Sequence, residues 1–155
     1  MNGTVRASSL PDRDLLVDNE GLPEDLARIV SPLLKRMKVL VPTWLRTLIV
    51  QYDNPDDTNN RNAYIQINTQ YREATLTLCG PFFSLDDRER LRVVCHEFAH
   101  LWMVRITDAC HDAIVSIETP SPTRKLIESN LRRAEEYDVD DLSWFFLRLL
   151  EDGAL

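Results

Sequence analysis

The sequence predicts an α+β fold in which a short three-stranded sheet precedes two long helices. Three runs rich in β-forming residues lie at 47–52, 63–68 and 71–79, with a loop of turn residues between the first two. Two later stretches, 85–106 and 123–151, have helical periodicity and contain no Gly or Pro. The three strands and the two helices together indicate the α+β class.

The elements before and within the sheet have their own end signals. Pro23 opens a helix that we expect to break or kink at Ser31-Pro32 and to end at Val41-Pro42. In the strand at 71–79, apolar and polar residues alternate, so they face opposite sides of the sheet. Gly80-Pro81 closes that strand.

Length and composition predict one domain with a single core. The chain has 155 residues, of which 44% are hydrophobic and 28% are charged. Residues 1–20 are polar and lack a hydrophobic stretch of signal type, so we expect a flexible N-terminal segment there and one domain at 21–155. No apolar run is long enough to span a membrane, and a cytoplasmic location is expected. Cys79, Cys95 and Cys110 are therefore expected to be thiols.

The charge balance bears on the partners of the chain. The formal net charge is −7, and no run of lysine or arginine stands out. Nucleic acids and anionic membranes are bound through basic surfaces, so neither is an expected partner. The oligomeric state is left open by the sequence.

The helix predicted at 85–106 has two apolar sides with a polar group between them. Ser84 is its expected N-cap, and Asp86 and Asp87 fall in its first turn. One stripe consists of Leu91, Val94, Phe98, Leu101 and Trp102. The opposite side carries two histidines among Val93, Ala99 and Met103, so we expect both sides of the helix to be covered.

The most informative motif is His96-Glu97-Phe98-Ala99-His100 on this helix. Residues four apart lie on one helix face, so both imidazoles can reach one cation, and Glu97 lies a step round the helix, where it can polarise a water on that cation. Imidazole and carboxylate ligands with one open position suit zinc. The alternative is a pair of separately hydrogen-bonded core histidines with an incidental Glu.

The third protein ligand has to come from another part of the chain. After His100 the sequence reads Leu-Trp-Met-Val-Arg-Ile, without the Gly and third His that metzincins place there. The helix predicted at 123–151 is the alternative source, and it contains Glu135, Glu136 and Asp140. Its predicted apolar stripe consists of Leu131, Ala134, Leu142, Phe145 and Leu149.

With HExxH on one helix and a Glu followed four residues later by Asp on the next, the chain resembles the gluzincin metallopeptidases. The resemblance covers about the last seventy residues by motif and order. It implies a zincin-like fold, in which a short sheet packs on the HExxH helix and the later helix supplies the third ligand. It also implies that Glu136 is that ligand and that Asp140 orients a metal-bound histidine.

Two alternatives for the third ligand remain open at this stage. On a helical wheel Glu135 lies nearer the centre of the predicted apolar stripe than Glu136 does. His111, eleven residues after His100 in the expected connection between the two helices, could replace Glu136 or donate to a reaction oxyanion. The larger family members hold that oxyanion with a His or Tyr for which this sequence has no identifiable counterpart.

The predicted function is hydrolysis of peptide bonds, with peptides or proteins as substrates. Zinc would activate a water, and Glu97 would take its proton and pass it to the leaving amine. In the resembling zincins the strand before the HExxH helix borders the cleft, so residues 71–78 are the candidate substrate-binding edge, and the alternative is that they form an ordinary internal strand. The alternative function is a non-catalytic module in which zinc staples two helices and the acidic surface binds another protein.

Overall fold

The computed structural model describes residues 16–53, 61–116 and 121–153, and of 16–21 it describes the backbone only. Two 3₁₀ turns, Lys38–Leu40 and Gly80–Ser84, accompany the regular elements. The α+β class is confirmed. In chain order the regular elements are β1 (Leu16–Gly21), α1 (Glu24–Met37), β2 (Thr47–Asp53), β3 (Ala63–Asn68), β4 (Glu73–Cys79), α2 (Asp87–Ser116) and α3 (Ser121–Glu151).

The sheet contains the three predicted strands and a fourth one that precedes them. The strand order is β1-β2-β4-β3, in which β1, β2 and β4 run parallel and β3 runs antiparallel to β4. The fourth strand, β1, lies partly within the segment 1–20 that was predicted to be flexible, and residues 1–15 fall outside the described ranges. Its sequence, LVDNEG, has no strong alternation, so its strand conformation depends on pairing with β2.

The order of the strands corrects the prediction for the substrate-binding edge. Residues 71–78 were expected to form it, but β4 pairs with β2 on one side and with β3 on the other. The strand at the edge of the sheet next to the helices is β3. Which strand lies at an edge depends on the parallel pairing of β2 with β4, which the order of strands along the chain does not reveal.

One hydrophobic core joins the sheet to all three long helices. Successive inward positions of β2 and β4 are aligned, with Leu48 beside Ala74 and Val50 beside Leu76. Helix α1 runs through Pro32 as one helix, so of the predicted break or kink at Ser31-Pro32 the break is absent. The largest fully buried side chains include Met37, Leu48, Leu76, Leu78, Phe82, Phe98, Leu101 and Leu147.

Helix α2 is longer than predicted, and its start differs. It continues to Ser116 instead of ending near Ile106. At its first turn the Asp86 Oδ1 accepts a hydrogen bond from the Glu89 N–H at 2.8 Å, so Asp86 takes the capping role that was expected of Ser84. The added length at the C-terminal end extends the part of α2 that precedes α3 in the antiparallel pair.

Two tryptophan side chains fix the middle of α2 against the segment after α1. Trp102 Nε1 donates to the Leu40 carbonyl at 2.7 Å, and Trp44 Nε1 donates to the Leu101 carbonyl at 3.0 Å. Both bonds lie directly after the HExxH motif. They set the position of that part of the helix relative to the rest of the core.

Two further predictions concern the thiol state of the cysteines and the presence of membrane-spanning helices. Cys79, Cys95 and Cys110 are thiols and not disulfides, and burial raises the pKa of the Cys95 thiol to about 12. Across the described ranges, no helix combines the length and the apolar composition that crossing a membrane requires.

Candidate metal centre

Helix α2 presents His96 and His100 on one face. The ring centroids lie 5.1 Å apart, with an edge-to-face orientation. The two side chains are 28% and 20% exposed, so both are accessible at the bottom of a cleft. The two side chains are neighbours because they are four residues apart and 3.6 residues complete one helical turn.

Helix α3 brings a carboxylate to these two imidazoles. One ligand atom each from His96, His100 and Glu136 lies within 4.8 Å of the other two. The Glu136 Oε2 is 3.7 Å from the His96 Nε2. Two imidazole nitrogens and one carboxylate oxygen at such distances could hold a metal ion.

A second pair of carboxylates lies behind the imidazoles. The Asp140 Oδ1 is 3.0 Å from the His96 Nδ1, and the Glu135 Oε1 is 3.7 Å from the His100 Nδ1. With its proton on Nδ1, His96 donates to Asp140 and keeps the Nε2 lone pair for a metal. Of the two candidate glutamates, the structure thus places Glu136 in the three-residue cluster and Glu135 beside the other nitrogen of His100.

The face that α3 turns toward α2 differs from the predicted stripe. The buried residues of α3 are Val139, Ser143, Phe146 and Leu147, whereas Phe145 of the predicted stripe is 55% exposed. Ser143 is almost completely buried, and its hydroxyl donates to the Asp140 carbonyl at 2.7 Å. The helical-wheel prediction counted apolar residues only. It missed this face because a serine, Ser143, occupies one of the buried positions.

Glu97 lies beside the cluster in a buried position. Its exposed fraction is 8%, and burial raises the pKa of its carboxyl to about 7. The neighbouring His96, a hydrogen bond from the Ile65 backbone N–H and the guanidinium of Arg61 act on the Glu97 pKa in the opposite direction. Glu97 is therefore held against the edge strand β3 and can exchange a proton near neutral pH.

The electrostatic environment of His100 suits metal binding. Burial lowers the pKa of its imidazole, although the neighbouring Glu136 and Glu135 act in the opposite direction. A lowered pKa favours the neutral imidazole, which is the form that coordinates a metal.

Two cavities meet at the cluster and form one cleft along β3. One has a volume of about 530 Å³ and is lined by residues that include Tyr64, Ile67, His100 and Val104. The other, of about 430 Å³, extends past His96 toward the start of α2. Both cavities share the lining residues Arg61, Ala63, His96 and Glu97.

His111 lies away from the cluster. It is located on α2 and not in a connection between helices, and eleven residues of helix separate it from His100 by about 16 Å. Its imidazole lines a separate cavity of about 220 Å³ with Thr107 and Glu128. The continuation of α2 to Ser116 is the reason for this position.

Sequence reasoning missed several residues of the cleft. Arg61, Ile65 and Arg92 line it or contact Glu97, and none of them belongs to a motif. Arg92 lies one turn before His96, so its position on the same helix face was available from the sequence. The approach of β3 to α2 was not, since only the pairing of the sheet determines it.

Comparisons with protein-family models, with curated proteins and with solved structures give no match to this chain.

Proposed function

We propose that the protein is a zinc-dependent peptidase of the gluzincin type. The observation that carries the proposal is the cluster of His96, His100 and Glu136 next to a buried Glu97, all within an open cleft. A metal cluster alone would suit a structural site. The adjacent acid–base group and the cleft along an edge strand are what a hydrolytic site requires.

The donor set favours zinc over other ions. Two imidazoles and one carboxylate are a common protein set for catalytic zinc, and they leave one position open in a tetrahedral site. Calcium and magnesium prefer sites built from oxygen ligands. Asp140 supports His96 from behind at 3.0 Å, which leaves the His96 Nε2 for the metal, and Glu135 lies 3.7 Å from the His100 Nδ1.

Hydrolysis would use the side chains of the cleft in a defined order. Zinc, when bound, supplies a water of lowered pKa and polarises the scissile carbonyl. Glu97 accepts the proton of the attacking water and later donates it to the leaving amine. The N–H of Ile65 and the burial of Glu97 fix the carboxyl for both transfers.

The edge strand β3 is suited to hold an extended peptide in the cleft. The Asn62 carbonyl accepts from the Cys79 N–H, so even-numbered residues of this segment direct their backbone groups to β4. Ala63, Ile65 and Ile67 therefore direct theirs away from β4. All three line the cavity beside His100. The Ile65 N–H is used by Glu97, so the backbone groups of Ala63 and Ile67 and the Ile65 carbonyl are the ones with which a substrate backbone could pair.

The alternative function, a binding module in which zinc staples two helices, would require an enclosed metal site. A purely structural zinc is enclosed by four protein ligands. In the described part of the chain, three residues form the cluster, and the cavity of about 530 Å³ reaches it. This arrangement favours the peptidase.

Metal content and activity test the proposal together. Elemental analysis of the purified protein is expected to give one zinc per chain in the wild type and in Glu135→Ala, and little zinc in Glu136→Ala. A peptide library is then digested with the zinc-loaded wild type and with Glu97→Gln. We expect cleavage by the wild type, inhibition by a chelator, and loss of cleavage in Glu97→Gln with the zinc retained.

Three results would contradict the proposal in different ways. Absence of zinc after reconstitution would exclude the metal site. Loss of zinc in Glu135→Ala with zinc retained in Glu136→Ala would show that Glu135, and not Glu136, is the third ligand. Bound zinc without cleavage of any peptide would favour the binding module.

A further inference from the structure

One end of the cleft carries two arginines that the proposed hydrolysis does not use. The cavity of about 430 Å³ extends from Glu97 and His96 past Asp140 and is lined on its outer side by Arg61 and Arg92. Arg61 precedes β3, and Arg92 lies on α2 one turn before His96. The two cations therefore face one space from opposite walls, the strand side and the helix side.

The guanidinium of Arg92 is supported by an aromatic ring. Its Cζ lies 5.7 Å from the centroid of the Trp144 ring on α3, within the range of a cation–π contact. Such a contact orients the group without using its N–H donors. Arg92 can thus offer its planar set of donors to a ligand with a reduced loss of side-chain freedom.

Neither guanidinium forms a hydrogen bond or an ion pair in the part of the chain that the structure describes, although the charge of Arg61 acts on the nearby Glu97 and lowers the pKa of its carboxyl. The two carboxylates of the same cavity are engaged elsewhere, since Asp140 contacts the His96 Nδ1 and Glu97 accepts from the Ile65 N–H. The donors of both arginines are thereby available in a chain whose net charge is −7.

The opposite end of the cleft has a different character. To the lining residues that the two cavities share, the cavity of about 530 Å³ adds the apolar Ile67 and Val104 and the acidic Glu135 and Glu136. Arg61 lines both cavities, whereas Arg92 lines only the first, so a peptide that lies along β3 through both meets Arg92 on one side of the reacting centre and the acidic and apolar residues on the other. This asymmetry distinguishes the two directions of a bound chain.

We propose that Arg61 and Arg92 form a subsite that binds a carboxylate of the substrate within about two residues of the scissile bond. The inference rests on the proposed peptidase function and names its substrate class. An Asp or Glu side chain would provide the carboxylate in the middle of a protein, and the free C-terminus would provide it at the end of a peptide. Guanidinium groups bind carboxylates with two parallel hydrogen bonds, which gives both sources the same recognition chemistry.

Matched peptides separate the two sources. A parent peptide that the wild type cleaves is remade with Glu, Gln or Lys at each position flanking the scissile bond, and with a free or an amidated C-terminus. At one flanking position we expect kcat/KM to be about tenfold or more higher with Glu than with Gln, and lowest with Lys. A preference for the free over the amidated C-terminus would instead identify the terminal carboxylate as the ligand.

Variants of the arginines show whether they cause the preference. Arg92→Ala is expected to reduce the Glu-to-Gln ratio to near unity, and Arg92→Glu to shift the preference toward Lys. Arg148→Ala removes the same charge from an exposed position on α3 and is expected to leave the ratio unchanged. An equal fall in kcat for all peptides in Arg61→Ala would show that Arg61 acts on the reacting carbonyl, which would overturn its assignment to the subsite.

A binding measurement keeps this inference apart from the peptidase proposal. Zinc-loaded Glu97→Gln is titrated with the fluorescently labelled Glu, Gln and Lys peptides, and the Kd values are compared by anisotropy. Tighter binding of the Glu peptide that disappears on Arg92→Ala supports the subsite whether or not turnover is seen. Zinc-dependent cleavage with equal Kd and kcat/KM for all three peptides would overturn the subsite and leave the peptidase in place.

Discussion

At the scale of single residues, the site depends on which atom of each histidine meets which carboxylate. Both imidazoles direct Nδ1 at a carboxylate of α3, Asp140 for His96 and Glu135 for His100. The contact of Asp140 at 3.0 Å is within hydrogen-bond range, so it fixes the His96 tautomer with a free Nε2 and raises the basicity of that nitrogen. Asp140 thus has a chemical role that does not require contact with a metal, whereas Glu135, at 3.7 Å, lies beyond hydrogen-bond range of His100.

Removal of Asp140 is expected to weaken zinc binding without abolishing it. In Asp140→Ala the His96 ring loses the contact at 3.0 Å, and we expect the Kd for zinc to rise about 10- to 100-fold. Competition with a fluorescent chelator measures this constant. Asp141→Ala removes an exposed carboxylate from the next position on α3 and serves as the control. Equal zinc affinity in the two variants would contradict the orienting role.

The buried Glu97 predicts a pH dependence of the stability of the metal-free protein. Its pKa is about 7 when folded, against an ordinary value of 4.5, so the folded state binds the proton more tightly than the unfolded state does. The resulting stabilisation is complete below pH 4.5 and is lost as the pH rises through 7. A tenfold difference in proton affinity corresponds to about 1.4 kcal/mol, so the loss amounts to about 3 kcal/mol by pH 8.

Urea denaturation with a chelator present tests this dependence. The free energy of unfolding of the wild type, relative to Glu97→Gln, is expected to fall between pH 5 and pH 8. Titrating groups remote from Glu97 are common to both proteins and cancel in the difference, whereas the neighbouring His96 and Glu136 interact with the Glu97 charge and contribute to it. A difference that stays constant across this pH range would show that the Glu97 carboxyl is not desolvated in the folded state.

At the scale of elements, the edge strand β3 connects the sheet to the chemistry. Its Ile65 N–H reaches Glu97 on α2, and its alternate residues line the cleft. The sequence predicted the bounds of this strand correctly at 63–68, but assigned the substrate-binding edge to the strand that follows it. The alternation of side chains specifies a strand, whereas the identity of its neighbours depends on the whole sheet.

A proline scan of β3 is expected to separate substrate binding from folding. Ile67→Pro removes an N–H that points away from β4, and we expect KM to rise about fivefold beyond the effect of Ile67→Ala, since one backbone hydrogen bond to the peptide is lost. Gln66→Pro removes an N–H directed at β4 and should lower the Tm instead. An unchanged KM in Ile67→Pro, compared with Ile67→Ala, would argue against pairing of the substrate with this edge.

At the scale of the whole molecule, the cluster joins α2 and α3 midway along their antiparallel contact. The Arg88–Glu151 ion pair, at 2.8 Å, joins the start of α2 to the end of α3, but both side chains are exposed and contribute little. A metal held by His96, His100 and Glu136 would fix the same pair of helices much more strongly. Binding would therefore stabilise the folded chain.

Zinc is expected to raise the Tm of the protein. At a free zinc concentration of 100 times the Kd, linkage predicts about 2.7 kcal/mol of stabilisation, or about 5 to 10 °C for a chain of this size. Differential scanning calorimetry with zinc and with a chelator measures the shift. Glu97→Gln should show the full shift and Glu136→Ala almost none. Equal Tm values of the wild type under the two conditions would exclude a site that bridges the helices.

The sequence by itself determined the features that are local in the chain. The α+β class, the three predicted strands and the placement of His96, Glu97 and His100 on one helix follow from periodicities of two and 3.6 residues, which neighbouring residues specify. Local pattern also restricted the third ligand to a few residues, among them Glu135 and Glu136. The local pattern was insufficient at two places. Cap geometry moved the start of α2 away from the position predicted from Ser84. Packing kept α1 continuous through Pro32.

The tertiary structure decided what depends on contacts between distant segments. The rotation of α3 about its axis, set by burial of Val139, Ser143 and Phe146, brings Glu136 to the imidazoles and leaves Glu135 beside the other nitrogen of His100. The pairing of β4 with two neighbours makes β3 the edge of the sheet and places Arg61 opposite Arg92. Such placements depend on how whole elements pack. Neighbouring residues of a helix point about 100° apart, so the rotation of the helix about its axis decides which of them meets a given group.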